Sequence, residues 1–247
     1  MKLFGLVGFP LEHSFSKKYF TEKFANEYLS DCKFELFSID SITKINDIIL
    51  SNPNLKGFSV TIPYKEKIIP FLTDLDITAS EIGAVNSVKV IRQNNDIQLI
   101  GYNTDTFGFT ESLKPLLANF NSCALILGTG GAAKAVEYSL KKLNIEYKFV
   151  SRSKRSKVLT YSDLTDNVIS SHKLIINSTP LGMFPKVENC PDIPYNALTN
   201  NHILFDLTYN PEITTFLKNG LKKNAKIKNG LEMLHIQAEK SWKIWNS

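Results

Sequence analysis

The sequence predicts an α/β protein built on mostly parallel sheets. Two observations carry that expectation. Short apolar runs alternate with helical apolar stripes from the first residues onward, and a second alternating series opens near residue 123, after a polar turn between two apolar runs. In that order each helix returns the chain to the start of the next strand, so neighbouring strands run parallel.

Residues 2–8 are apolar and bounded by Gly8, Phe9 and Pro10, which reads as a strand. Residues 15–29 place Phe15, Tyr19, Phe20, Phe24 and Tyr28 on one helical face. Residues 34–39 follow as a strand, 42–50 as a helix and 57–62 as a short strand ending at Pro63, giving βαβαβ order. The runs 87–90 and 97–100 flank Gln93, Asn94, Asn95 and Asp96, a hairpin signal that predicts an antiparallel edge. Residues 107–117 look helical, and 123–127 form a fully apolar run that stops at Gly128. Strands at 147–150, 174–176 and 203–207, with helices between them, complete the second series.

Composition narrows the class. A chain of 247 residues that is 43% hydrophobic and 21% charged fits a globular protein and excludes disordered and collagen-like chains. Cys32, Cys123 and Cys190 are too far apart for a disulfide framework or a zinc site, so a reducing cytoplasm is expected. The apolar opening is interrupted by Gly and Pro and reads as a buried strand, not a signal peptide, and no run of about 18 apolar residues predicts a membrane span. The net charge of +5 comes from scattered lysines, a solvated surface more than a nucleic-acid face. His13, His172, His202 and His235 have no HExxH-type spacing, so no metal is expected.

Gly128, Thr129, Gly130, Gly131, Ala132 and Ala133 satisfy GxGxx(G/A) directly after a predicted strand and at the start of a helical pattern. Glycines let the backbone approach a pyrophosphate, and the free amides of the helix end carry partial positive charge toward it; a tight structural turn is the alternative. At the tip of the next strand, where an acidic residue would bind the ribose of NAD, stand Ser151, Arg152, Ser153, Lys154 and Arg155. Donors and cations there suit a 2′-phosphate, which favours NADP; a basic surface loop is the alternative.

Seven segments outside the glycine turn carry a resemblance: PLEHSFS at 10–16, GFSVTIPYKE at 57–66, GAVNS at 83–87, GYNTDTFG at 101–108, INSTPLGM at 176–183, DLTYNP at 206–211 and NGLEMLHIQA at 229–238. In this order and spacing, over nearly the whole chain, they resemble the shikimate dehydrogenase family. The resemblance implies a substrate domain of residues 1–104 and 229–247 around an inserted Rossmann-like NADP-binding domain of residues 105–228, with a cleft between them. It also implies reversible NADPH-dependent reduction of 3-dehydroshikimate to shikimate, on the route to chorismate and the aromatic amino acids. The expected partners are the small-molecule substrate and NADP, without nucleic acid or membrane, in a monomer or homodimer.

Within that frame Lys65 and Asp105 are the expected catalytic pair. Lys65 lies just beyond a strand end, where a lysine can supply a proton or a cation to an alkoxide as it forms. Asp105 would hold the lysine in place and accept hydrogen bonds from a polyol; composition alone reads it equally well as an Asx turn or N-cap. Ser14 and Ser16 are two apart, so in an extended segment both hydroxyls face one side and suit a carboxylate; a turn or N-cap is the alternative. The family matches Thr61, Asn86 and Gln237 to positions on the sugar-like ring, and Tyr209 to one near its carboxylate. Leu207 and Gly230 fall at cofactor positions, as does Met233, for which ordinary helix packing is an equal reading.

This chain departs from the common family pattern at Thr129, Ser151, Ser87 and Thr106, and Arg155 is shifted by about one residue, so Arg152 carries most of the NADP expectation. Two rival readings remain: a quinate/shikimate dehydrogenase using NAD, and a non-catalytic NADP-binding relative.

Overall fold

The structure, a computed structural model, describes residues 1–11, 14–94 and 96–247; Glu12 and His13, within the first resemblance segment, and Asn95 of the expected hairpin turn lie outside the described residues. The chain divides into two compact units, Met1–Thr104 with Ala238–Ser247, and Asp105–Gln237. Residues 229–237, expected with the first unit, group with the second.

In the first unit β1 (Lys2–Gly8) is buried after Lys2, as befits a central strand. Ser14 caps α1 (Phe15–Asn26), whose Phe20 and Phe24 are buried. β2 (Cys32–Ser38), α2 (Ile45–Ser51, after a 3-10 turn at Ile42–Lys44) and β3 (Leu55–Val60) complete the expected βαβαβ series. β1 pairs in parallel with both β2 and β3. Next come β4 (Asp74–Leu75), α3 (Ile77–Ile82), β5 (Ser87–Gln93) and β6 (Asp96–Tyr102). β5 and β6 form the expected antiparallel hairpin, and β5 runs antiparallel to β3. The sheet order is β2-β1-β3-β5-β6-β4, so the hairpin is not the edge. β4 closes it in parallel, and its two residues are too few to leave a period-2 signal.

The second unit starts at α4 (Asp105–Leu113) and continues with β7 (Ala124–Leu127), α5 (Gly131–Lys142), β8 (Tyr147–Ser151), β9 (Val158–Thr160), α6 (Asp166–Ser171), β10 (Leu174–Asn177), β11 (Ile203–Asp206), α7 (Thr215–Leu221) and β12 (Lys226–Lys228). Its sheet is parallel throughout, in the order β12-β11-β10-β7-β8-β9. β7 is buried on both faces: Ala124 and Ile126 join the core with Phe109 and Val136, Leu125 and Leu127 the core with Ile169 and Phe216. That is why the run reads as continuously apolar. The strand order reverses between β7 and β10, and ligands of doubly wound sheets bind at that switch point.

The last helix, α8 (Leu231–Trp245), contributes Met233 to the second unit's core, while Ala238 and Trp245 pack with Phe4, Phe20 and Phe34 in the first. In the first unit Lys23 reaches Glu239 at 2.8 Å and Glu27 at 2.6 Å, and Tyr19 hydrogen-bonds Glu239, tying α1 to the end of α8. Among the described residues no helix is long and apolar enough to cross a membrane.

Candidate functional site

At the switch point, Gly128 follows β7 with φ 109°, and its amide donates to the Val150 carbonyl at 2.9 Å. A Cβ there would stand 2.8 Å from Ser178 Oγ, which itself donates to the Leu127 carbonyl at 2.6 Å. Glycine is therefore required both by backbone conformation and by close approach of the β7 and β10 ends. Gly130 is different. It is the N-cap of α5, makes no side-chain cap, and a Cβ built on it would meet nothing within 4 Å. The first turn of α5 carries no acidic side chain, and Thr129, Gly131 and Ala132 beside it are half-buried. Ala133 and Val136 are fully buried and pack the helix on the sheet. A helix end with no side-chain cap and no acidic residue in its own first turn fits a pyrophosphate.

Ser151 ends β8, and its Oγ accepts from the Ser153 amide at 3.3 Å. Arg152, Ser153, Lys154 and Arg155 are exposed. The Arg155 carbonyl accepts from the Val158 amide at 3.3 Å, so its main chain belongs to the turn into β9. Burial raises the pKa of the Tyr161 hydroxyl, and Arg152, close enough to act on it, lowers it in part. The described tip of β8 carries three exposed cations, a set that suits a phosphate dianion.

The carboxyl ends of β10 and β11 hold a buried network that the sequence reasoning missed. Asp206 Oδ2 accepts from Thr214 Oγ1 at 2.6 Å, and Oδ1 from the Thr208 amide at 2.9 Å and Asn177 Nδ2 at 3.1 Å. Asn177 Oδ1 in turn accepts from the amide and hydroxyl of Thr179 at 3.1 and 2.6 Å. Burial pushes the Asp206 carboxyl above its ordinary range, against the donors of Thr214, Thr208 and Asn177 that lower it. Asn177 and Asp206 are both fully buried. The available signal was a polar residue closing each apolar strand, within INSTPLGM and DLTYNP. The network shapes the chain that carries Leu207 and Tyr209: the Leu207 amide donates to the Asn177 carbonyl at 2.9 Å and the Gly230 amide to the Thr208 carbonyl at 3.0 Å. A Cβ at Gly230 would collide with the Leu207 carbonyl, so the structure brings these two expected cofactor residues together. Tyr209 is half-buried beyond them, and Met233 packs in the core.

In the first unit Thr61 directly follows β3; its amide donates to the Val7 carbonyl and its carbonyl accepts from the Tyr64 amide, both at 2.9 Å. Tyr64 is buried and its hydroxyl donates to the Ile39 carbonyl at 2.6 Å. The Lys65 carbonyl accepts from the Val85 amide at 2.7 Å, so main-chain bonds hold both sides of this half-buried lysine. Asn86 is buried; its Nδ2 donates to Thr104 Oγ1 at 3.0 Å, and its Oδ1 accepts from the Thr104 amide at 2.6 Å. Its side chain thus clamps the last residue of this unit before Asp105.

The serines are not in an extended segment. Ser14 is the N-cap of α1, accepting from the Lys17 amide at 3.4 Å, and Ser16 lies in the first turn, both half-buried. Serine is a preferred cap before an apolar helical stripe, and that preference overrides the two-residue spacing. Asp105 is likewise not a cap ahead of a helix at Phe107: it is the first residue of α4, buried, where unpaired amides favour acidic side chains. Gln237 is buried in α8, and a Cβ at Gly108 of α4 would stand 3.0 Å from its Cβ.

A doubly wound parallel sheet with a glycine turn at its switch point defines one unit as Rossmann-like, joined in the chain to a second α/β unit. Comparison with known proteins narrows this class. The family described as shikimate dehydrogenase substrate binding domain matches residues 6–88. A shikimate dehydrogenase (NADP(+)) of Methanococcus maripaludis is 38% identical over 99% of this chain and 91% of the relative. The crystal structure of shikimate dehydrogenase 1 from Peptoclostridium difficile has a TM-score of 0.84 at 36% identity, covering 100% of this chain and 92% of that one. Shikimate 5-dehydrogenase from Thermus thermophilus, solved in complex with NADP(H) and shikimate, has a TM-score of 0.84 at 27% identity, covering 99% and 93%. The chain belongs to the shikimate dehydrogenase family.

Proposed function

We propose that this protein is an NADP-dependent shikimate dehydrogenase, reducing 3-dehydroshikimate to shikimate reversibly in the cytoplasm, on the route to aromatic amino acids. The observation that carries the reading is the uncapped end of α5, where the place of a Gly130 Cβ is open space, together with the exposed cations at the tip of β8. Glycine turn and α5 amides would hold the pyrophosphate, Arg152 the 2′-phosphate, and the Leu207–Gly230 contact would border the nicotinamide. Ser151, Ser153 and Arg155 would line the adenosine end.

When bound, NADPH supplies the hydride that reduces a ketone carbon. Reduction builds negative charge on the carbonyl oxygen, and Lys65 Nζ would meet it with a hydrogen bond and a proton. Asp105 would accept hydrogen bonds from substrate hydroxyls, and Thr61, Asn86 and Gln237 would read the remaining ring hydroxyls with neutral groups. Ser14, Ser16 and the first amides of α1 would hold the carboxylate, with Tyr209 beside it. Met1–Thr104 would then be the substrate unit and Asp105–Gln237 the dinucleotide unit.

Turnover of shikimate and of quinate, each with NADP+ and NAD+ and followed at the absorbance of reduced nicotinamide, tests the reading. Shikimate with NADP+ is expected to be the preferred pair. Preference for quinate with NAD+ would instead make the chain a quinate/shikimate dehydrogenase, and NADP+ binding without turnover a non-catalytic relative.

A further inference from the structure

Asp206 stands apart from every role assigned above, yet it is a fully buried carboxylate at the carboxyl end of β11, next to the switch point of the sheet. Three residues donate to it, each from a different piece of chain: Asn177 at the end of β10, Thr208 in the segment after β11, and Thr214 at the N-cap of α7. The Thr208 bond bends the chain two residues on, into an Asx turn, with Leu207 at its middle. Asn177 then fixes Thr179, next to Ser178, which packs against Gly128. One carboxylate thus links the turn that presents Leu207 to Gly230 with the loop that backs the glycine turn. A satisfied polar network in a dry interior specifies one arrangement of the loops it joins, because any other leaves a donor unpaired.

We propose that Asp206 is a positioning residue for the nicotinamide half of the dinucleotide, acting through the 206–208 turn and its contact with Gly230, and not for the adenosine half. The proposal rests on the NADP(H) reading above. It separates the two halves because the described residues of the 2′-phosphate end, Arg152 to Arg155, lie at the tip of β8, two strands from β10.

The test compares binding of NADPH with binding of 2′,5′-ADP, which keeps the 2′-phosphate and adenosine but lacks the nicotinamide. The fluorescence enhancement of bound NADPH reports how firmly the dihydronicotinamide is held, independently of turnover. Asp206→Asn keeps the shape but puts an N–H₂ against a donor, and Thr214→Val removes the hydroxyl donor without touching the carboxylate. Thr214→Ser, which keeps both the bond to Asp206 and the α7 cap, serves as the conservative control. Asp206→Asn and Thr214→Val are expected to lose the enhancement and weaken NADPH binding about tenfold, with 2′,5′-ADP affinity within about twofold of the parent and Thr214→Ser parental in both. Should Asp206→Asn fail to fold, Thr214→Val carries the same comparison. Parental NADPH enhancement in the variants would overturn the proposal. So would a parallel loss of 2′,5′-ADP binding, which would make Asp206 a support of the whole unit. A parent protein that binds 2′,5′-ADP and NADPH not at all would overturn the cofactor reading, and this inference with it.

Discussion

At the carboxyl end of β7, in the second unit, the candidate residues act through main chain: a glycine with φ 109°, a second glycine over open space and a helix end with no side-chain cap. At the carboxyl end of β3, in the first unit, the candidate residues act through side chains, with Thr61, Lys65 and Asn86 set on a backbone pinned by Val7, Ile39 and Val85. The difference follows the chemistry of what each would hold. A pyrophosphate offers the same anionic oxygens in every dinucleotide and is met by amides that any residue can provide, so the constraint falls on where a Cβ is tolerated. A hydroxylated ring has to be told from its relatives, and discrimination needs particular side chains whose unpaired state penalises the wrong ligand.

The largest expected effect would break the side-chain half. Lys65→Ala should lower kcat by about a hundredfold or more, since an acid/base group contributes on the order of 10² to 10⁴ in rate, and should leave shikimate and NADP binding within about tenfold. Steady-state kinetics with near-parental kcat would remove Lys65 from the chemistry.

A charged side chain at the main-chain site comes next. Charge-assisted bonds are worth roughly 1.5 to 3 kcal/mol, so Arg152→Ala should cut kcat/KM for NADP about ten- to a hundredfold, with little change for NAD. Equal losses with both cofactors would show that the arginine supports the loop instead of reading the phosphate.

The two glycines sharpen the comparison inside one turn. Gly128→Ala meets Ser178 and a left-handed backbone, and should destabilise the fold by about 1 to 3 kcal/mol. Gly130→Ala meets no protein atom within 4 Å; calorimetry should find thermal stability close to parental. Its methyl would nevertheless occupy the pyrophosphate's approach and weaken NADPH binding, by about tenfold or more. If both variants behave alike, the open space over α5 has no bearing on the cofactor.

Asn86 is the test of overlap between the two kinds of site. Its amide is engaged by Thr104, so Asn86→Ala should cost about 1 to 3 kcal/mol in stability through the buried Thr104 N–H, besides raising the KM for shikimate. A variant with altered KM and parental unfolding midpoint would make the clamp incidental.

The smallest effect concerns Glu239. Burial raises its carboxyl, but bonds from Lys23 and Tyr19 outweigh that and hold it below the ordinary range. A depressed carboxyl contributes stability above its unfolded pKa and loses it as pH falls through the folded one. Glu239→Gln should therefore flatten the acid limb of the stability profile by less than about 1 kcal/mol, the scale of a partly exposed ion pair. An unchanged limb would mean that the tie between α1 and α8 is carried by aromatic packing.

The glycine pattern, the apolar strands and the basic tip of β8 were legible because each is local. A turn, a period or a charge placed just after a strand acts on its own neighbours, and the six-stranded parallel sheet and antiparallel hairpin follow from them. The short strands β4, β9 and β12 were not legible, since two or three residues hold no period and their pairing is decided by the strand already beside them.

For the site, the sequence by itself determined the residue types and their order: Lys65 past a strand, Asp105 before an apolar helical stretch, and a glycine turn between a strand and a helix. Only the tertiary structure decided what those groups are attached to. It made Ser14 a cap and Ser16 part of a helix, put Asp105 inside α4, joined Leu207 to Gly230, and gathered Asn177, Asp206 and Thr214 into one buried network. The physical reason is distance along the chain. Asn177 and Asp206 are separated by a full crossover, and their hydrogen bond exists only because β10 and β11 pair in register.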